Sequence, residues 1–229
     1  MTHSCAVLDG GGVQCWGTNS HGQLGTESNH AAGTGPGNVS VSMSSLGEVP
    51  LSAPAIAVAT GGMEESGGVA HTCVILEDGR VQCWGSGSYG QLGYGSQITL
   101  GRNAGEISSL GSVNLGGASA VAIDAGGGHT CVVVDVGHVS CWGLNDKGQL
   151  GYNHTYNVGD GTRWAGTVDL GSVTAVDVAC GGRHTCVILN TGGVKCWGEN
   201  SHGQVPSSPA LRATVPPALT RTLIPTLLP

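Results

Sequence analysis

Residues 71–93, HTCVILEDGRVQCWGSGSYGQLG, are one of four versions of a single motif. The others are HSCAVLDGGGVQCWGTNSHGQLG from His3, HTCVVVDVGHVSCWGLNDKGQLG from His129 and HTCVILNTGGVKCWGENSHGQ from His184. Self-similarity of this kind defines a repeat architecture before any single residue is weighed. The motif starts are 68, 58 and 55 residues apart, as a fixed core with loops of variable length requires. Inside the core, Val74, Ile75 and Leu76, or Val132, Val133 and Val134, are apolar on both faces, which predicts a strand buried between neighbouring sheets. The following stretch, Arg80, Val81, Gln82 and Cys83, alternates instead and reads as a strand with one wet face. A three-residue loop ending in Gly11, Gly79, Gly137 or Gly192 joins the two. That spacing predicts a hairpin with a type I turn and a left-handed bulge residue.

The predicted hairpin fixes a register. Cys73 falls opposite Cys83, Cys5 opposite Cys15, Cys131 opposite Cys141, and Cys186 opposite Cys196. Directly opposed cysteines meet the geometry of a disulfide, which is the favoured reading of all four pairs. Two other readings stay open: reduced buried thiols, and a metal held by His-x-Cys…Cys, although zinc prefers cysteines two to four residues apart and no fourth ligand is evident. Cys180 is the odd ninth cysteine and reads as a small buried free thiol.

Apolar stretches precede the later motifs at 55–59, 118–123 and 173–178 and are expected to form an innermost strand lining a channel. A fourth strand is expected near 112–115 and 167–170. The chain is therefore predicted to be all-β, a β-propeller of about four blades, with repeats over 1–205 and a proline-rich tail over 206–229. Trp16, Trp84, Trp142 and Trp197 recur after the second cysteine and are expected to bury their indoles between blades. His3, His71, His129 and His184 recur at one position and read as structural hydrogen bonders rather than four catalytic groups.

The motif resembles the repeat of the regulator-of-chromosome-condensation family, in its cysteine-bearing form, and the resemblance covers most of the chain. It implies a propeller whose relatives usually close a ring of about seven blades, so four copies read as an open arc or as a fragment of a longer product. It also implies one candidate activity, guanine-nucleotide exchange on a small GTPase, as in the founding member. The wedge and basic chromatin-binding extension of that member have no counterpart traceable in this sequence. The family's plant ultraviolet-photoreceptor branch is set aside, because Gly182 stands where its sensing tryptophan would align.

Composition narrows the classes further. Lys and Arg total 8 against 15 Asp and Glu, a net charge of −7 with no basic run, which argues against nucleic acid as a partner. No signal peptide is recognisable, and the apolar stretch 222–229 is too short and too proline-broken for a membrane helix, so no membrane partner is expected. No nucleophile–base set, phosphate loop or calcium loop is found, so neither catalytic residues nor a metal or other cofactor is expected.

Individuality lies in the linkers, and loops on a rigid scaffold are the usual carriers of binding. Trp164 is the one tryptophan outside the motif; beside Arg163 it is a candidate partner-binding residue or, equally, a strand-anchoring aromatic. Asn38-Val39-Ser40 and Asn153-His154-Thr155 are formal glycosylation acceptors. The reading is a non-catalytic scaffold for a protein partner, with self-assembly if the arc is the full product. The alternatives are a nucleotide-exchange factor, or a secreted inhibitor or adhesion-type binder. The cysteine pairs favour an extracellular or periplasmic location.

Overall fold

A computed structural model describes residues 3–27, 46–63 and 68–206, together with the backbone of two short strands at 34–35 and 39–40. The tail beyond 206, Asn38 of the first acceptor triplet and residues 64–67 of one linker lie outside the described residues. Thirteen strands form: β1 (His3–Val7), β2 (Val13–Gly17), β3 (Thr34–Gly35), β4 (Val39–Ser40), β5 (Ala55–Met63), β6 (Val69–Leu76), β7 (Val81–Gly85), β8 (Ala120–Ala125), β9 (His129–Val134), β10 (Val139–Gly143), β11 (Ala175–Cys180), β12 (His184–Leu189) and β13 (Val194–Gly198). They make four antiparallel blades, β1-β2, β5-β6-β7, β8-β9-β10 and β11-β12-β13, plus the small pair β3-β4. Among the described residues no helix is long and apolar enough to cross a membrane.

Each motif folds as its hairpin. In blade 2, Leu76 N–H donates to the Arg80 carbonyl at 2.8 Å and Gly79 N–H to the Leu76 carbonyl at 2.9 Å. Gly79 has φ +81°, with Gly11, Gly137 and Gly192 at +84°, +76° and +80°. A left-handed residue closes the three-residue loop, and glycine occupies that region without penalty. The register places Cys73 opposite Cys83 and Ile75 opposite Val81, with the same pairing in every blade.

The first strands begin at Ala55, Ala120 and Ala175, two residues later than the apolar pattern implies in blades 3 and 4. The cause is a contact from the preceding blade. Ala120 N–H donates to the Gly79 carbonyl and Ala175 N–H to the Gly137 carbonyl, both at 2.9 Å, so a strand starts where the chain leaves the previous hairpin.

The expected fourth strand does not form. At the expected positions each linker touches the outer strand by one backbone bond, Val49 N–H to Val13, Val113 N–H to Val81 and Val168 N–H to Val139; elsewhere the second and third linkers meet its end at isolated bridges, Leu100 with Gly85 and Val158 with Gly143. Further linker carbonyls are taken by side chains of the outer strand: Gln14 and Gln82 donate to Leu46 and Leu110, and Ser140 to Gly166. Single bonds and isolated bridges do not make a ladder.

The core lies between blades. One cluster gathers Val74, Leu76 and Trp84 of blade 2 with Val13, Cys15 and Leu24 of blade 1. A larger one joins Cys73, Ile75 and Val81 of blade 2 to Val132 and Trp142 of blade 3, and continues to Val178 and Val187 of blade 4. In blades 2 and 3 one face of the hairpin thus packs on the preceding blade and the other face on the following one.

Candidate interaction site

Four residues build each boundary. Trp84 Nε1 donates to the Gln23 carbonyl at 3.0 Å, Trp142 Nε1 to Gln91 and Trp197 Nε1 to Gln149, both at 2.9 Å. The same three carbonyls accept from the hydroxyls of Thr72, Thr130 and Thr185 at 2.7, 2.9 and 2.8 Å. The threonine proton is thereby committed, so the oxygen accepts from the histidine of the preceding blade. His3, His71 and His129 reach Thr72, Thr130 and Thr185 through Nε2, each at 2.9 Å. Those histidines therefore carry their proton on Nε2.

The glycine ending each Gln-Leu-Gly is part of the same joint. A Cβ on Gly25, Gly93 or Gly151 would lie 2.8 Å from the Nε1 of the indole of the next blade, so only a bare Cα lets the loop reach it.

Burial holds these histidines neutral. Desolvation pulls His71 down to about 3, with the neighbouring His129 and His3 adding to the effect. It brings His129 to about 4, helped by His184, and His3 also to about 4. Charging one would place an uncompensated cation inside a blade boundary.

All four cysteine pairs are disulfides, Cys5–Cys15, Cys73–Cys83, Cys131–Cys141 and Cys186–Cys196, with Cα separations of 4.0–4.1 Å. In the first three blades the bond faces the following blade, where a sulfur of Cys5, Cys73 or Cys131 lies 3.8–3.9 Å from the threonine hydroxyl. Cys180 is a free thiol. Among the described residues one trio of metal-ligand atoms gathers within 4.8 Å, from His129, Cys131 and Cys180. Cys131 spends its sulfur on Cys141, and Nε2 of His129 bonds Thr185. The trio therefore lacks the free thiolates a structural metal site needs.

The most exposed aromatic surface belongs to the linker that follows the third motif. Tyr152 anchors it: the hydroxyl accepts Cys141 N–H at 2.9 Å and lies 2.9 Å from the Cys141 and Gly166 carbonyls. Burial pushes that hydroxyl up to about 12. Tyr94 straps blade 2 likewise, accepting Cys83 N–H at 2.9 Å.

From Tyr152 the rings of His154 and Tyr156 follow at centroid spacings of 5.8 and 5.6 Å, and the Arg163 guanidinium sits 4.5 Å from the Tyr156 ring centre. Tyr156 is 60% exposed and Trp164 67%. The edge of the Trp164 ring rests over Gly95 of the neighbouring linker. Trp164 also walls a cleft of about 290 Å³ with Val113, Asn114, Ser140, Trp142 and Thr167.

Sequence reasoning singled out Arg163 and Trp164, and the structure adds Tyr156 to them. It did not find the threonines or the tyrosine straps. The available signals were a hydroxyl residue after every motif histidine and a tyrosine after Gln-Leu-Gly in the second and third copies.

Blades built from one motif, stapled internally and joined through a shared relay, define a β-propeller array. The family model for the regulator of chromosome condensation (RCC1) repeat matches residues 2–23, 66–91, 120–149 and 175–204. This chain belongs to the RCC1-repeat family.

Among its relatives, the human probable E3 ubiquitin-protein ligase HERC6 is 28% identical over 207 residues, 90% of this chain and 18% of that protein. The secretion-regulating guanine nucleotide exchange factor of Bos taurus is 34% identical over 140 residues, 59% of this chain and 28% of that protein. The matched region is thus under a third of either relative's length. In fold, the chain is similar to the crystal structure of human WBSCR16, with TM-score 0.61 and 22% identity over 86% of this chain and 46% of that one. It is also similar to Prp20p of Saccharomyces cerevisiae, with TM-score 0.58 and 22% identity over 87% of this chain and 42% of that one. Prp20p itself has binding properties to Gsp1p and histones.

Proposed function

We propose that this chain is a non-catalytic scaffold that holds a protein partner at Tyr156, Arg163 and Trp164, over the cleft that Trp164 walls. The observation that carries the reading is the exposure of Trp164, 67%, next to a Tyr156–Arg163 stack, on a linker tied by Tyr152 to a disulfide-stapled blade. Aromatic and arginine side chains on a rigid support lose little freedom on binding and dominate interface energetics. Repeats over 1–205 serve as the scaffold and 206–229 as a separate proline-rich segment. Four disulfides support an oxidising compartment, extracellular or periplasmic.

The test compares the full chain with Trp164→Ala and Arg163→Ala by quantitative capture of binding proteins, using Val121→Ala, an exposed residue elsewhere, as the control. A common set of proteins lost by about 30-fold from both site variants and kept by the control is expected, the scale of an interface hot spot. Equal capture by all four proteins would overturn the reading.

A second reading, guanine-nucleotide exchange, is favoured by the similarity to the bovine exchange factor. Accelerated release of a fluorescent guanine nucleotide from a small GTPase would establish it, and an unchanged release rate would remove it.

A further inference from the structure

Cys180 is the one cysteine that the stapled pairs do not use, and it is not alone in space. It ends β11 opposite Thr185, a position taken by Thr60 in blade 2 and Ala125 in blade 3. Its N–H donates to Asp124 Oδ2 at 2.7 Å, and its thiol points to the Asp124 carbonyl at 3.6 Å. Asp124 belongs to the preceding blade, where it pairs with Cys131. The contact thus carries the Cys180 sulfur across the blade boundary. There Cys180 Sγ, Cys131 Sγ and a ring nitrogen of His129 lie within 4.8 Å of one another. His129 is fully buried, and its Nδ1 has no hydrogen-bond partner. Of the Cys131–Cys141 bond, Cys131 supplies the sulfur that belongs to this group.

We propose that Cys180 and Cys131 form an alternative disulfide across the boundary of blades 3 and 4, reached by exchange with the Cys131–Cys141 bond. The Cys180 thiol gives its proton to solvent, and the thiolate attacks Cys131 Sγ. The Cys131–Cys141 bond breaks and the electron pair leaves on Cys141, which takes up a proton. One disulfide and one thiol stand on each side of the step, so no external oxidant is consumed.

The two isomers constrain different things. The Cys131–Cys141 bond closes a hairpin with a sequence separation of 10. The alternative bond closes a loop of roughly 50 residues and fastens one blade to the next. Burial, with the nearby Asp124, pushes the Cys180 thiol up, so its thiolate is scarce at neutral pH. Exchange is therefore slow while the boundary is closed, and it speeds up as pH rises or as the boundary opens.

The experiment uses the full chain carrying Cys141→Ser, oxidised with glutathione disulfide, alkylated without reductant and mapped by peptide mass. A Cys131–Cys180 cross-link with no alkylated cysteine is the expected result. Cys131 and Cys180 each recovered as alkylated or glutathionylated thiols would overturn the proposal.

Should the variant fail to fold, the wild-type chain decides. Held at alkaline pH with a trace of thiol, it is expected to shift part of the alkylation label from Cys180 to Cys141, and Cys180→Ser to abolish that shift. A label that stays on Cys180 throughout would equally overturn it.

Discussion

His71–Leu76 and His184–Leu189 have the same sequence, HTCVIL, and the same place in their blades, yet their surroundings differ. In blade 2 every residue of the strand is buried; in blade 4 only Thr185 and Val187 are. Those two face blade 3, while His184, Cys186 and Ile188 point the other way, where no blade follows among the described residues. The tryptophans repeat the contrast: Trp84 and Trp142 are fully buried, and Trp16 and Trp197 are partly open. The hexapeptide specifies a strand with two apolar faces, and its neighbours decide whether both become core. Most of what stabilises a blade therefore comes from the next one, as in a one-dimensional array.

The comparison is tested most severely by removing an indole. Trp84→Ala should cost about 3–5 kcal/mol in urea unfolding, and Trp197→Ala no more than about half of that. Equal costs would mean that the open side of blade 4 is covered in solution.

Next in size is Thr130→Val, which strips an acceptor from His71 and a donor from Gln91 inside a boundary. A loss of about 1–3 kcal/mol is expected, against less than about 0.5 kcal/mol for Ser4→Ala at the corresponding exposed position of blade 1.

The histidines add a pH dependence with a definite sign. With folded values of about 3 for His71 and about 4 for His3 and His129, the unfolded chain takes up protons that the folded one refuses below about pH 6.5. Stability is thus fully present above that pH and falls below it, by about 1.4 kcal/mol per pH unit for each histidine until the folded value is passed. Urea midpoints collected from neutral to mildly acidic pH measure the slope. A flat profile would show that the histidines are hydrated and the blade boundaries loose.

The smallest effect concerns the disulfides. Cys73–Cys83 is wholly buried under blade 3, whereas Cys186–Cys196 is partly open. Under mild reductant, timed alkylation should find Cys186 and Cys196 at least about tenfold sooner, an opening difference of about 1.4 kcal/mol. Simultaneous reduction of the two would place their blades in one cooperative unit.

How much was legible follows the range of each interaction. The hairpin glycines, the opposed cysteines and the indole after each second cysteine could be read because a motif of about 23 residues holds the whole hairpin. The apolar residues at 112–115 and 167–170 suggest a fourth strand that does not form. There, Val113 and Val168 make one backbone bond each, and side chains of the outer strand take up part of the remaining linker backbone. Arg163 and Trp164 stood out as individual residues, but their grouping with Tyr156 and the cleft did not, since Gly95 and Val113 come from another linker.

By itself, the sequence determined the repeat, the strand type, the turn that fixes the register and the partner of each stapled cysteine, because those depend on groups within one hairpin. Which faces are core, which hydroxyl receives each histidine, and where Cys180 and Trp164 lie emerge only when the blades pack together. The reason is physical: the three histidine–threonine bonds join residues 69, 59 and 56 positions apart, and burial depends on atoms that a neighbouring blade supplies.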